Sequence, residues 1–362
     1  NHIELLAIEC LEALGYSYVY APDIAADGHT PERENYEQVS LISRLQKAVR
    51  KINPALSAEI QNEAIKELQR IASPELLTNN ETFHRYLTEG IPVSKRVDGD
   101  DRGDRVWLVD FNDPYNNEFV AANQFTIIEN HSNKRPDIIL FINGIPLVVM
   151  ELKNAADENA TIRSAFKQIE TYKVQIPSLF TFNAFNIISD GLEARAGSVS
   201  AGFSRYMAWK TADGKAEASH LTGQLEILIR GMLNKETIID LIRHFIVFEK
   251  SKKEDLVTGI ISINTIKKLA AYHQYYAVNR AVESTLRAAG MQPEADASVA
   301  FSITQNSDPL LSMVAEDPEA YGLPAVKQQP VGDRKAGVVW HTQGSGKSLS
   351  MVFFAGKIVL AM

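Results

Sequence analysis

Two apolar, β-branched runs separated by one dipeptide constrain this chain more than any other feature. Asp137–Ile142 and Leu147–Lys153 lie on either side of Asn143-Gly144. A two-residue type I′ turn needs positive φ at both central positions, and Asn-Gly provides that at little steric cost, so the segment predicts a β-hairpin. Asp137 opens the first arm behind Arg135-Pro136. After thirteen intervening residues, Glu151-Leu152-Lys153 closes the second arm.

Residues i and i+2 of a strand share a face, so Glu151 and Lys153 project together, toward whatever Asp137 faces. Charged residues ending an apolar strand cost free energy unless they are paired or used. Phosphodiester hydrolysis needs a divalent cation and hard oxygen ligands to hold it, which two carboxylates supply. A neighbouring ammonium steadies an attacking hydroxide or the phosphate charge. A surface ion pair at a strand end is the alternative. Acid-x-Lys recurs at Asp213-Gly214-Lys215 and Asp333-Arg334-Lys335, but neither ends an apolar strand.

Around the hairpin, periodicity predicts helices over 2–14, 34–50 and 56–72, with Asn53-Pro54 between the last two. Val106–Asp110 and Glu118–Ile128 read as strands, 158–173 as a helix and Phe185–Ser189 as a further strand. Helices continue from about Gly223 through Phe248. The charged run Lys250–Asp255 reads as a boundary, and a helix is expected over 264–288. Gln168 and Tyr172 share a helix face at i, i+4; a surface or boundary role is the ordinary explanation for such a pair. Glu4 falls about 20° from Leu11 on the wheel of the first helix, at the edge of its apolar stripe. It either reaches inward to a metal or curls out to water.

Composition bounds the partners. The net charge is -8, so any DNA contact rests on a local basic patch or on partners that deliver the substrate. Lys134, Arg135, Arg163, Lys167 and Lys173 are the nearest candidates for phosphate contacts. One cysteine, Cys10, excludes an intrachain disulfide and fits a reducing cytoplasm. No apolar run reaches the ~18 residues needed to span a bilayer, so no membrane partner is expected.

Near the end of the sequence, His341-Thr342-Gln343-Gly344-Ser345-Gly346-Lys347-Ser348 follows a short predicted strand, Gly337–Trp340, and precedes a helix. That is the setting of a P-loop. Gly344, Ser345 and Gly346 turn backbone N–H groups toward phosphate, Lys347 reaches the β/γ-phosphates of ATP, and Ser348 ligates Mg²⁺. His341 stands where the first glycine is usual, a departure that superfamily 2 helicases and translocases tolerate. The sequence ends at Met362, one short helix beyond, so the expectation is a truncated motor without an acidic Walker B strand.

Asp137, Glu151-x-Lys153 and Gln168-xxx-Tyr172 resemble the PD-(D/E)xK nuclease superfamily in its Q-xxx-Y branch. The string 135–154 resembles the restriction (R) subunit of type I restriction-modification enzymes. So do Leu14-Gly15-Tyr16, Asn53-Pro54, Asn123-Gln124-Phe125, Ser189-Asp190-Gly191 and Trp340-His341-Thr342-Gln343. The resemblance implies that Asp137 and Glu151 bind Mg²⁺ with the Leu152 carbonyl, that Lys153 assists the attacking water, and that Gln168 and Tyr172 lie near the site. It assigns Glu4 to the first-helix acid of these nucleases and Gln274 to an adenine-reading glutamine; a polar helix residue is the plain alternative for the latter.

The implied fold is α/β: a PD-(D/E)xK nuclease domain over 1–220, with a mixed sheet flanked by helices, a helical connector over 221–262, and the start of a RecA-like P-loop domain over 263–362. The implied function is Mg²⁺-dependent endonucleolytic cleavage of double-stranded DNA, coupled in the intact protein to ATP-driven translocation. The implied partners are methylation and specificity subunits. A helicase-nuclease of DNA repair and a degenerate nuclease fold serving as a docking platform are the alternatives.

Overall fold

The computed structural model describes residues 2–97, 100–154, 161–214, 217–219, 222–254, 261–291, 330–339 and 344–361. The chain divides into two compact units, residues 1–210 with 219–269, and residues 211–218 with 270–362.

The first unit opens with α1 (His2–Ala13) and β1 (Ser17–Tyr20), followed by α2 (Ile42–Ile52), α3 (Ala58–Gln69) and α4 (Leu76–Glu89). Next come β2 (Ile91–Val97), β3 (Asp100–Val106), β4 (Phe119–Asn123), β5 (Ile127–Glu129) and β6 (Ser132–Lys134). The hairpin is β7 (Ile138–Ile142) and β8 (Ile145–Leu152). Beyond it lie α5 (Ile162–Gln175), α6 (Pro177–Thr181), β9 (Phe185–Ser189), β10 (Ala194–Gly197), α7 (Gln224–Met232), α8 (Lys235–His244), β11 (Ile246–Glu254) and β12 (Ile261–Leu269). A six-stranded mixed sheet in the order β1-β4-β7-β8-β9-β10 carries the unit. β1 runs parallel to β4 and β8 parallel to β9; the other neighbours are antiparallel. Parallel neighbours need a crossover, and α5 lies within the β8–β9 connection. Its Ile162, Ala165, Ile169 and Tyr172 pack on Ile139, Phe141, Val149 and Ile188 of the sheet.

The expected hairpin forms. Asn143 and Gly144 have φ of 52° and 79°. The turn is buried rather than solvated. Asn143 donates from Nδ2 to Leu108 O at 3.0 Å and to Asn117 Oδ1 at 2.8 Å, and its Oδ1 accepts from Glu118 N at 2.8 Å. Gly144 O accepts from Leu41 N at 2.8 Å. A Cβ on Gly144 would lie 2.4 Å from Leu41 O. The register shifts between Leu140↔Val148 and Phe141↔Pro146, leaving a bulge at Leu147.

Several expectations are corrected. Residues 34–41 are not helical, because Asn35 Oδ1 accepts from the amides of Glu37 and Gln38 at 3.0 and 2.9 Å and folds a turn. The strand expected over Val106–Asp110 ends at Val106. Asp110 Oδ1 instead accepts from Asn112 and Asp113, both at 3.0 Å. The strand expected over Glu118–Ile128 breaks at Gln124, where φ is 58°. The helices expected from about Gly223 through Phe248 end at His244. The charged run from Lys250 to Glu254 lies within β11, Asp255 falls outside the described residues, and 264–269 belongs to β12. Residues 222–254 and 261–262 are therefore part of the first unit, not a separate helical connector. The alternation Ile261, Ile263, Thr265 is the strand signal that the helical reading passed over.

In the second unit α9 (Tyr272–Ala288) and α10 (Lys347–Ala361) pack together, and Lys357 Nζ donates to Asn279 Oδ1 at 2.6 Å. Residues 337–339 form no strand, and Trp340 to Gln343 lie outside the described residues.

β12 is fastened to the rest of the first unit by a buried lysine. Lys267 is 1% exposed, and its Nζ donates to Asn80 Oδ1 at 2.8 Å and Asn183 O at 2.7 Å. The Phe248 ring lies 5.5 Å from Nζ. Its backbone is held too. Its N–H donates to Ser200 Oγ at 2.8 Å, while its carbonyl accepts from Ser198 Oγ at 2.5 Å and Ser200 Oγ at 2.9 Å. Burial lowers the amine to about 7. Burial and the nearby Lys267 charge also hold the His84 imidazole well below its ordinary value.

Two consequences can be measured. Gly144→Ala should destabilise the first unit by about 2 kcal/mol or more through left-handed strain and the Leu41 clash, read as a lower urea midpoint; an unchanged midpoint would mean the turn relaxes away from Leu41. For Lys267, an unfolded amine titrates near 10.4. Between about 7 and about 10 the unfolded chain binds a proton that the folded chain does not, so stability rises with pH across that window. Lys267→Met should abolish the rise in urea midpoint between about pH 7 and about pH 9.5. Equal slopes for parent and variant would show that the buried amine stays protonated.

Candidate active site

The hairpin arms bring the two acids to the same end of the sheet. Asp137 sits just before β7, and its Oδ2 accepts from Leu152 N at 2.6 Å. Glu151, in β8, is 2% exposed. Lys153 Nζ donates to Glu151 Oε1 at 2.5 Å, and Tyr172 Oη donates to Glu151 Oε2 at 3.2 Å. Lys153 N–H donates to Ser189 O at 2.8 Å, extending the β8–β9 pairing and fixing the lysine backbone. The Lys153–Glu151 pair is thus no surface ion pair, because its carboxylate is buried.

α5 completes this face. Tyr172 is 4% exposed, and its hydroxyl also lies 3.4 Å from Arg135 O. Gln168, one turn earlier on α5, opposes the rise of the Tyr172 phenol. Glu4 turns inward and is 9% exposed; its Oε2 accepts from Gln124 Nε2 at 3.2 Å. Gln124 had no role in the sequence reading beyond its place in Asn123-Gln124-Phe125. A polar residue closing a buried strand was the available signal.

The electrostatics fit a cation. Burial and then the Glu151 charge push the Asp137 carboxyl up to about 7, with Glu4 adding to the rise and the Leu152 N–H and Lys153 opposing it. Burial raises Glu151 as well, against the hydrogen bonds from Lys153 and Tyr172. Burial and the Glu151 charge raise the Tyr172 phenol. A buried and a half-buried carboxylate beside one ammonium form a hard-oxygen donor set with excess negative charge, which suits Mg²⁺. Among the described residues no three His, Cys, Asp or Glu side chains form a ready-made metal cage. That is compatible with Mg²⁺, which usually keeps several waters and takes one or two carboxylates.

The surrounding cations divide into two groups. Lys173 is engaged inside the fold, donating to Val199 O at 2.7 Å and pairing with Glu170. Arg163 stacks 4.6 Å from the Phe203 ring. Arg135 and Lys167 are exposed and Lys134 is half-buried. Of the two decoy motifs, Asp213-Gly214 lies in a turn and Asp333 pairs with Arg287 at 3.1 Å.

In the second unit Gly344 and Gly346 have φ of 83° and 80°, Ser345 lies between them, and Lys347 and Ser348 begin α10. Gln274 is buried, with both ends of its amide engaged. Oε1 accepts from Ala271 N at 2.9 Å, and Nε2 donates to Gly346 O at 3.1 Å and Ser345 O at 3.4 Å. In this arrangement it braces the glycine loop, and reading adenine would require it to exchange those bonds.

Residues 2–205 match the family model described as type I restriction enzyme R protein N terminus (HSDR_N), and residues 273–362 match the SWI2/SNF2 ATPase model. The type I restriction enzyme HindI endonuclease subunit of Haemophilus influenzae is 38% identical over 99% of the chain. The type I restriction enzyme SauMSSORF170P endonuclease subunit of Staphylococcus aureus is 26% identical over 79% of it. The aligned regions make up only 30% and 24% of those relatives. With more than half of its residues matched by the first of the two models, the chain belongs to the type I restriction enzyme R protein N-terminal family.

Proposed function

We propose that the first unit is a PD-(D/E)xK nuclease domain that cleaves double-stranded DNA endonucleolytically with Mg²⁺. In the intact protein this activity is coupled to an ATP-driven translocase that begins in the second unit. The observation that carries the reading is the convergence of Asp137, Glu151, Lys153 and Tyr172 at the open end of the central hairpin.

Asp137 and Glu151 are the carboxylates that would hold the metal, with the Leu152 carbonyl beside them. A divalent cation there supplies Lewis-acid stabilisation of the phosphate oxygens and lowers the pKa of a bound water. Lys153 steadies the attacking oxygen as it adds to phosphorus and a P–O ester bond breaks. Tyr172 holds the Glu151 carboxylate in place, with Gln168 one turn away on the same helix face. Exposed Arg135 and Lys167 meet the DNA backbone. Methylation and specificity subunits supply sequence recognition, and the assembly works in the cytoplasm. A docking platform has no use for a buried carboxylate held beside a half-buried one at this cost, which favours catalysis.

Two experiments test this reading. In the full-length subunit assembled with its modification partners, Lys153→Ala should reduce cleavage of circular target DNA by about 10²-fold or more and leave DNA-stimulated ATP hydrolysis intact; persistence of both activities would remove Lys153 from the mechanism. Cation binding competes with the Asp137 proton, because a ligand carboxylate must be ionised. Calorimetric affinity for Mn²⁺ should therefore weaken as pH falls below about 7 and level off above about 8. A pH-independent affinity between about 5.5 and 8 would show that Asp137 is not a ligand.

A further inference from the structure

Gln124 is an unusual residue in an unusual place. It leaves β4 with φ of 58°, a left-handed backbone adopted without the relief glycine would bring. Asn, Asp and His are the non-glycine residues enriched there. For other residues this conformation costs about 1–3 kcal/mol and persists only where the surroundings enforce it. Here it lets a single residue bond both the Asp137 backbone and the Glu4 carboxylate. Its N–H donates to Asp137 O at 3.3 Å, one step beyond the last β4–β7 pair, Asn123↔Ile138. Its side-chain Nε2 donates to Glu4 Oε2 at 3.2 Å.

Glu4 needs such a partner. It lies on the α1 face that buries Ala7, Ile8 and Leu11, where a carboxylate is costly unless hydrogen-bonded. Asp137 is fixed from the other side by the Leu152 N–H. The backbone of Gln124 is thus tied to the strand that presents Asp137, while its amide holds the acid of a different element. Extended backbone at residue 124 would carry the strand onward instead of turning it at this point.

We propose that Gln124 is a positioning residue of the nuclease site, setting the Glu4 carboxylate beside Asp137, where it acts on the cation through its water shell rather than as a direct ligand. This rests on the metal-dependent reading above. The amide orients Glu4 without neutralising it, as outer hydrogen-bond partners do at metal sites.

The test uses Mn²⁺ titrated calorimetrically into the full-length subunit without DNA, alongside the Mg²⁺ dependence of cleavage in the assembled enzyme. Gln124→Asn is the informative variant, since Asn tolerates positive φ but is one methylene too short to reach Glu4. Gln124→Asn and Glu4→Gln should each weaken Mn²⁺ affinity about tenfold, and the double variant should be no weaker than Glu4→Gln alone. Cleavage by Gln124→Asn should recover at raised Mg²⁺. Unchanged affinity in Gln124→Asn, or additive losses in the double variant, would overturn the positioning role. Asp137→Ala separates the two readings. If it abolishes binding while Gln124→Asn does not alter it, only this inference fails; if Asp137→Ala binds as the parent does, the metal site itself is wrong.

Discussion

Burying Glu151 is the constraint to which the rest of the site responds. A carboxylate 2% exposed at the end of a central strand is tolerable only if its oxygens are matched. One oxygen faces the Lys153 ammonium two residues along the strand, and the other faces a phenol from the crossover helix. Asp137 is handled differently, by the backbone N–H of Leu152 across the hairpin. Register matters here. The bulge at Leu147 decides which face Val149, Glu151 and Lys153 occupy, and a slip of one residue would turn all three away from α5.

The hairpin was legible because its signal is local: an Asn-Gly pair between two β-branched runs admits few conformations. The same holds for β9 and most of α5, whose patterns are set by one buried face each. What escaped the sequence reading was decided by distant partners. The segment 34–41 has a helical pattern but is folded by Asn35 and by Arg33, whose guanidinium donates to the carbonyls of Tyr36, Gln38 and Thr126. β12 was hidden because Lys267, near its end, reads as a solvent-facing charge, and nothing local shows that Asn80 and Asn183 wait for it. Of the candidate site, Asp137, Glu151 and Lys153 stood out from the hairpin pattern, whereas the Gln168/Tyr172 pair, ordinary by spacing alone, stood out only through the resemblance. Gln124 did not, since its importance lies in a backbone angle and in a partner 120 residues away.

The second unit shows how a residue type can be right while its partner differs. Gln274 was singled out for an amide able to pair with a base. That amide instead lies against the loop it was expected to serve. A Cβ at Gly346 would lie 2.5 Å from Gln274 Nε2, so glycine at that position lets the helix side chain approach the loop this closely.

The buried turn at Asn143-Gly144 has a consequence for how this fold can diversify. Hairpin tips are ordinarily where chains absorb insertions, because solvent accommodates the extra loop. This tip is enclosed by Leu41, Leu108, Asn117 and Glu118 and has no such freedom. A residue gained or lost in either arm cannot be taken up there and must appear as displacement at the other end, where Asp137 and Glu151 meet. Arm length is thereby locked to the geometry of the acids, and variation in size is left to connections elsewhere in the chain.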